Sequence, residues 1–154
     1  MLIDTASHSL DLLQFPTGPL DADSATGLVS CSVPDRGDDT AAAMVRLEGG
    51  AVGVVGVGAR YPFWQGQVEV VGEKGIARFD YSRPTELSFC IRGKDWTVET
   101  VEHVQQRFVN QVRAFAELMD GGQTDLAGFD AALAVARAVD RIYRQNGVPW
   151  LRNG

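Results

Sequence analysis

The chain has few of the residues that hold small secreted or metal-dependent domains together. It contains two cysteines, Cys31 and Cys90, and two histidines among 154 residues. The cysteines lie far apart in apolar, strand-like segments with no histidine beside them. We therefore expect reduced packing residues and neither a disulfide nor a metal site.

An excess of positive charge and a long apolar run are also missing. Lys and Arg number 14 against 20 Asp and Glu, a net charge of −6. Phosphate binding needs a basic surface, so we expect no nucleic acid and no membrane among the partners. The longest weakly polar stretch, Ala51–Ala59, contains three glycines and has about half the length that crosses a bilayer. Because the first residues also lack the pattern of a signal peptide, we expect a cytoplasmic protein.

The order of patterns that are present is one helix, then strands, then two helices. Residues from about Thr5 to Phe15 predict a short helix that ends at Pro16 and Gly18, with Asp4 as its N-cap. Thr17–Ala25 is the least patterned segment. Further on, apolar residues recur at helical spacing in two stripes, each predicting an amphipathic helix that lies on a sheet. The stripes comprise Phe108, Val112, Phe115 and Met119, and Ala132, Val135, Ala136, Val139, Ile142 and Tyr143.

Between these helices, residues 26–101 predict strands joined by tight turns. Ala43, Val45 and Leu47 alternate with polar or exposed-type residues, which is the strand period. The predicted hairpins turn at 48–50, 72–75 and 93–95 and join strands 43–48 and 51–60, 67–71 and 76–81, and 86–92 and 96–101. We therefore predict one α+β domain over 1–154, with an open, mainly antiparallel β-sheet of about six strands and helices packed on one face.

Some of these strands are apolar on both faces. Val55 and Val57 point to one side of their strand, while Val52 and Val54 point to the other. A sheet with one face in water should be polar on that face. We therefore expect a second cover, supplied by another subunit of a homo-oligomer.

The first helix carries the candidate chemistry. Asp4, His8 and Asp11 would share one stripe, whereas Leu10 and Leu13 would face the core. Histidine can accept and return a proton near neutral pH. Two interpretations stay open: a catalytic Asp4–His8 pair, or a helix cap followed by an exposed polar residue.

Four segments in this order resemble the C-terminal domain of the glucose–fructose oxidoreductase and inositol dehydrogenase superfamily (Gfo/Idh/MocA). They are Leu2–Leu13, Asp38–Gly53, Val68–Gly75, and Gly128–Leu133 leading to Ala138–Arg144. The resemblance implies a two-domain enzyme, in which an N-terminal Rossmann domain holds NAD or NADP. The C-terminal domain would supply the substrate site and the oligomer interface.

The family's catalytic histidine lies in an Asp-x-x-x-His element, which matches His8 with Asp4 as its partner. By this resemblance, His8 would take the proton of a sugar or polyol hydroxyl while hydride leaves the same carbon for the nicotinamide. Arg60, Tyr61 and Trp64 are candidate substrate-binding residues, because aromatic faces and guanidinium groups suit hydroxylated ligands. Their alternative role is to anchor a loop against the core.

The family's glycine-rich dinucleotide fingerprint and its Glu-Lys-Pro element are absent from this sequence. Gly56–Tyr61 imitates the fingerprint, but Tyr61 replaces its third glycine and no helical pattern follows. We therefore expect no cofactor-binding residue here, no cofactor bound to this chain alone, and little activity without the missing Rossmann domain. The alternative function is a freestanding, self-associating interaction domain, and a weaker third one is a sugar-binding module.

Overall fold

The computed structural model describes residues 1–32, 37–60, 62, 65–101, 107–122 and 128–148. The chain divides into two units, Met1–Arg60 with Asp125–Gly154, and Tyr61–Thr124. The first unit contains a π-turn (Leu2–Ala6), α1 (Ser7–Thr17), β1 (Leu20–Ser30), β2 (Thr40–Leu47), a 3-10 turn (Glu48–Gly50), β3 (Val52–Gly58) and α3 (Phe129–Gln145). The second contains β4 (Gln67–Gly72), β5 (Gly75–Asp80), β6 (Glu86–Ile91), β7 (Trp96–Thr100) and α2 (Arg107–Met119).

Strands β1, β2 and β3 form an antiparallel sheet in that order. The predicted β2–β3 hairpin is confirmed, with Ala43 opposite Val55 and Thr40 opposite Gly58. Its turn places Gly49 and Gly50 at φ 74° and 87°, a backbone region that glycine enters without steric cost. The turn therefore sets the register that buries alternate side chains.

Strand β1 begins at Leu20, so the segment expected to be least structured is partly strand. Asp21 pairs with Arg46 and Thr26 pairs with Met44, which leaves extra residues of β1 in a bulge. The Arg46 N–H donates to Ser24 Oγ at 2.8 Å, because the bulge leaves that N–H without a ladder partner. A bulge breaks the two-residue period, which explains why alternation failed to predict this strand.

The core of the first unit lies between its sheet and the π-turn, α1 and α3 on one face. Leu2, Leu10 and Ile142 are fully buried there. Gly53 lets α1 approach the sheet, because a side chain at that position would collide with Leu13. The other buried side chains are Ala6, Leu20, Ala25, Ala41, Ala43, Val45, Leu47, Val55, Val57, Val135, Ala138, Val139 and Tyr143.

The second unit contains a four-stranded antiparallel meander in the order β4-β5-β6-β7. Both of its predicted hairpins are confirmed, with Val70 opposite Ala77 and Phe89 opposite Thr97. Helix α2 also forms where its stripe predicts it. The expectation that this stripe is buried on a sheet is wrong, because its apolar side chains are exposed: Phe108, Val112, Phe115 and Met119.

The α+β class and the antiparallel pairing are confirmed, but the strands are arranged differently. The described residues contain seven strands in sheets of three and four, where the sequence predicts one sheet of about six. Hairpin signals predict which strands pair within a hairpin, but they do not predict how one hairpin pairs with another. They also do not predict β1, because its bulge interrupts the alternation of apolar residues. None of the described helices combines the length and apolar character needed to cross a membrane. The assignment of 1–154 as a single domain stays a prediction.

Candidate functional site

Asp4 and His8 lie on consecutive turns at the start of the chain, and both are exposed. Asp4 belongs to the π-turn, which the Ala6 N–H closes by donating to the Met1 carbonyl at 3.1 Å. His8 is the second residue of α1. Among the contacts of the described residues, no hydrogen bond or ion pair joins the two side chains. Each side chain is thus exposed, and no bond among these contacts holds one to the other.

The expectation that Asp4 caps α1 is wrong. The cap position of α1 is Ala6, and neither helical segment has a side-chain cap bond. Instead, Ser7 Oγ donates to the Asp4 carbonyl at 2.7 Å. The π-turn moves the helix start two residues beyond the predicted one, so the Asp4 carboxylate points to no backbone N–H and is available to another partner.

Asp11, the third titratable residue of the predicted stripe, is half-buried. Its Oδ1 accepts from Gln14 Nε2 at 3.2 Å. The same Gln14 amide accepts from the Leu20 N–H at 3.2 Å and donates to the Ala131 carbonyl at 3.4 Å. Asp11 therefore belongs to a polar junction of α1 with β1 and α3, and we assign it no chemical role.

Beneath the π-turn lies a buried pair that the sequence did not single out, Asp38 and Tyr143. Asp38 Oδ2 accepts from the Leu2 N–H at 2.5 Å, and Oδ1 accepts from the Tyr143 hydroxyl at 2.8 Å. The Tyr143 oxygen also accepts from the Ile3 N–H at 3.2 Å. Only 8% of the Asp38 side chain and 4% of Tyr143 are exposed. These contacts tie the turn that carries Asp4 to β2 and α3.

The pKa values of Asp38 and Tyr143 are shifted by burial and by hydrogen bonds. Burial raises the pKa of Asp38, but the bonds from Leu2, Tyr143 and the Met1 amino group outweigh it, so the pKa lies below its usual value. Burial and the bond to Asp38 raise the pKa of Tyr143 to about 12. Asp38 is therefore a carboxylate and Tyr143 a neutral phenol at neutral pH. The signal that could have found them is a tyrosine in an apolar helix stripe, since a buried hydroxyl needs a partner.

Arg60, the predicted substrate-binding residue, follows β3 and is exposed. Its Nε lies 3.5 Å from Asp39 Oδ2. Hydrogen bonds from Ser32, with the Arg60 charge beside them, hold the pKa of Asp39 below its usual value. Asp39 directly follows Asp38, so Arg60 and the π-turn lie at the same end of the three-stranded sheet. Tyr61 and Trp64, the other two predicted residues, lie outside the described residues.

The glycines that imitate the dinucleotide fingerprint are part of a strand. Gly56 and Gly58 lie in β3, where they pair with Ala42 and Thr40. A dinucleotide fingerprint needs a strand that turns directly into a helix. Here the next described element is β4, so the glycines do not fit that group. Within the described ranges no three His, Cys, Asp or Glu side chains cluster as metal ligands would.

An open groove of about 560 Å³ lies elsewhere in the first unit, between β1 and α3. It contains none of the predicted site residues. One of its arginines is paired with a carboxylate, since Arg144 Nε lies 2.8 Å from Asp140 Oδ2, and Arg141 Nε donates to the Ala25 carbonyl at 3.1 Å. The lining residues are Ala22, Asp23, Arg137, Asp140, Arg141, Arg144 and Gln145.

Fold and site together define an α+β domain with an exposed Asp–His pair at one end of an antiparallel sheet. The sequence profile of the GFO/IDH/MocA C-terminal domain matches residues 1–78. The chain belongs to the GFO/IDH/MocA family. A search of curated proteins gives no significant match.

Solved structures of oxidoreductases have the same fold. An oxidoreductase from Agrobacterium radiobacter, in complex with NAD+, L-tartaric acid and magnesium, is 20% identical with a TM-score of 0.74, over 96% of this chain and 47% of that one. Levoglucosan dehydrogenase with NADH and levoglucosan is 18% identical (TM-score 0.74; 93% and 48%). UDP-N-acetylglucosamine 3-dehydrogenase from Acidithiobacillus ferrooxidans is 17% identical (TM-score 0.76; 94% and 46%). The chain spans less than half the length of each of these proteins.

Proposed function

We propose that this chain is the substrate-binding and oligomerisation domain of an NAD(P)-dependent oxidoreductase acting on a sugar, polyol or related hydroxy compound. The observation that carries the proposal is the exposed Asp4–His8 pair at the sheet end that also carries Arg60, in a chain of this family. The dehydrogenases of similar fold support it, since their structures hold NAD+ or NADH and, in one case, levoglucosan.

In the proposed reaction the His8 imidazole accepts the proton of a substrate hydroxyl. Asp4 accepts a hydrogen bond from the other ring nitrogen and so favours one tautomer, while Arg60 exchanges its contact with Asp39 for substrate hydroxyls. Tyr61 and Trp64 stay candidate substrate-binding residues. A nicotinamide, when bound, supplies a hydride acceptor, and we assign its binding to a Rossmann domain outside this sequence. Because His8 is exposed in this chain, that domain would also exclude water from the imidazole.

The test begins with the DNA upstream of the Met1 codon. We expect an in-frame Gly-x-Gly-x-x-Gly segment, and the protein of that longer frame should reduce NAD(P) with a sugar or polyol. His8→Asn should lower its kcat by about 10²–10⁴-fold, the usual value of a positioned general base. Ser9→Ala, a change one residue away on the same helix, is the matched control. An independent promoter and stop codon upstream, or an unchanged kcat in His8→Asn, would contradict the proposal.

A separate titration tests where the cofactor binds. Calorimetry of the 154-residue chain with NADH and NADPH should show no binding at micromolar concentrations, because Gly56 and Gly58 lie inside β3 and do not form a phosphate-binding turn. Micromolar affinity would place a nucleotide site in this chain and overturn the assignment.

The second candidate function, a self-associating interaction domain, is favoured by the outer face of the three-stranded sheet. Met44 lies opposite Val54 on that face, and Leu28 lies opposite Ala42. Leu28, Met44, Val52 and Val54 are all exposed, at 48–73%. An apolar sheet face of this kind is suited to a second copy of the chain. We propose this face as the homo-oligomer interface in either candidate function.

Light scattering tests the interface. The parent chain should form a dimer or larger oligomer, and Val54→Glu should reduce its mass to that of a monomer. Val71→Glu, the same change at an equally exposed valine of β4, is the control and should leave the mass unchanged. A parent chain that is monomeric at high concentration would contradict the proposal.

A further inference from the structure

The first turn of a helix normally leaves its N–H groups without partners inside the helix. In this chain the Leu2 and Ile3 N–H groups are bonded to side chains of two other elements, Asp38 ahead of β2 and Tyr143 on α3. The position of the π-turn is therefore fixed by residues that lie outside its own helix.

The two side chains act as one unit. Asp38 Oδ1 accepts from the Tyr143 hydroxyl, while Oδ2 accepts from the Leu2 N–H and lies 3.1 Å from the Met1 amino nitrogen. The Tyr143 oxygen in turn accepts from the Ile3 N–H. Each oxygen thus has a defined donor, and among the described residues no buried side-chain N or O atom lacks a partner. A buried network with every member bonded holds one geometry.

The turn held in this way is the one that carries Asp4. Leu2 and Ala6 are fully buried on either side of it, while Asp4 is exposed between them. A π-turn contains more residues per turn than an α-helix, is rare in proteins and is frequently found at functional sites. If it relaxed into α-helix, Asp4 would rotate about the helix axis relative to His8.

We propose that Asp38 and Tyr143 are positioning residues, which hold the π-turn Leu2–Ala6 and thereby fix the position of Asp4 relative to His8. The inference rests on the proposed function, because only that function gives His8 a role in catalysis. The effect of the two residues on the position of the π-turn can be tested without an activity assay. Proton transfer tolerates displacements of only about half an ångström, so a turn that drifts would lower the rate without changing the substrate contacts.

The test uses NMR and amide exchange on the 154-residue chain. Tyr143→Phe keeps the ring and removes the hydroxyl, and Asp38→Asn keeps the shape and removes the charge. Tyr143→Phe should make the Ile3 amide exchange about tenfold faster, because that amide loses its acceptor. Asp38→Asn should do the same for the Leu2 amide, because a neutral amide replaces its carboxylate acceptor. The His8 imidazole resonances, assigned with His8→Asn, should move as well.

Ile142→Val is the matched control. It lies beside Tyr143 on α3, is fully buried, and loses one methyl group, a perturbation comparable to one hydrogen bond. It should leave the Leu2 and Ile3 exchange rates and the His8 resonances unchanged. If Asp38→Asn does not fold, Tyr143→Phe alone decides the question.

Two results would overturn the inference: unchanged His8 resonances in Tyr143→Phe, or equal shifts in Ile142→Val. In the dehydrogenase assay of the longer frame, Tyr143→Phe should lower kcat several-fold with KM unchanged. Should His8→Asn keep full activity while Tyr143→Phe still moves the His8 resonances, the proposed function fails and the positioning role stands.

Discussion

The two units differ in what they bury. Every buried apolar side chain of the described residues belongs to the first unit, from Leu2 to Tyr143. The described part of the second unit contains none, although its strands and helix also carry apolar residues, and large side chains such as Trp96 and Phe115 are exposed. The periodicity of the sequence therefore predicts which face of a helix or strand is apolar. Whether that face becomes part of a core depends on whether another element covers it.

The second unit relies on other interactions. Its sheet has continuous backbone pairing through four strands, and its described side chains add ion-pair and aromatic contacts. Arg78 pairs with Glu69 across β4 and β5 and lies 5.1 Å from the Trp96 ring centre. Phe79 and Tyr81 meet edge to face at 5.0 Å. Such contacts are individually weak, so the difference between the units should be visible as a difference in stability.

The largest expected effect comes from one matched pair of substitutions. Ile142→Ala removes a fully buried side chain of the first unit and should lower the free energy of unfolding by about 2–5 kcal/mol. Ile91→Ala makes the same change at a residue of the second unit that is 45% exposed, and should cost about 1 kcal/mol or less. Urea unfolding measures both. Equal losses would show that Ile91 is covered in solution and that the second unit has a core.

A smaller effect concerns acid. The pKa of Asp38 is lowered in the folded chain, so its stabilising contribution is complete above the ordinary value of 3.8 and is lost as the pH falls through the folded value. Asp38→Asn should cost about 1–3 kcal/mol at pH 7 and flatten the fall in stability below pH 4. Asp80, whose pKa is lowered mainly by Ser82, is the control in the second unit, and Asp80→Asn should change the curve less because water solvates its charge. Thermal melts from pH 2 to pH 7 would decide, and a larger change in Asp80→Asn would reverse the comparison.

Local signals predicted the elements of both units. Glycine turns such as Glu48–Gly50 located the hairpins, because few other residues adopt positive φ, and the stripes of α2 and α3 located two helices. Strand β1 was missed in part because Ser24 and its bulged neighbours break alternation. The division into two sheets, and the exposure of Phe115, depend on which elements meet in space, and no local pattern contains that information.

The candidate site was predictable only in its exposed part. The spacing of Asp4 and His8 predicted successive helical turns, and the structure places Asp4 in the π-turn and His8 in α1. The π-turn itself has no signature in composition. Asp38 and Tyr143 lie 105 positions apart in the chain, so their hydrogen bond could not be read from spacing. Which buried residues support an exposed one depends on the tertiary structure and not on local sequence.

The smallest expected effect is the coupling between Arg78 and Glu69 in the second unit. Both side chains are close to half exposed, and exposed ion pairs contribute about 1 kcal/mol or less because water and salt screen them. A double-mutant cycle of Arg78→Ala and Glu69→Ala should therefore give a coupling in that range, which falls as salt is raised. The Arg144–Asp140 pair on α3, exposed to a similar degree, is the reference in the first unit. A coupling of several kcal/mol for Arg78 and Glu69 alone would mean that their surface is shielded from water. The second unit would then bury side chains as the first unit does, and the contrast between the two units would be wrong.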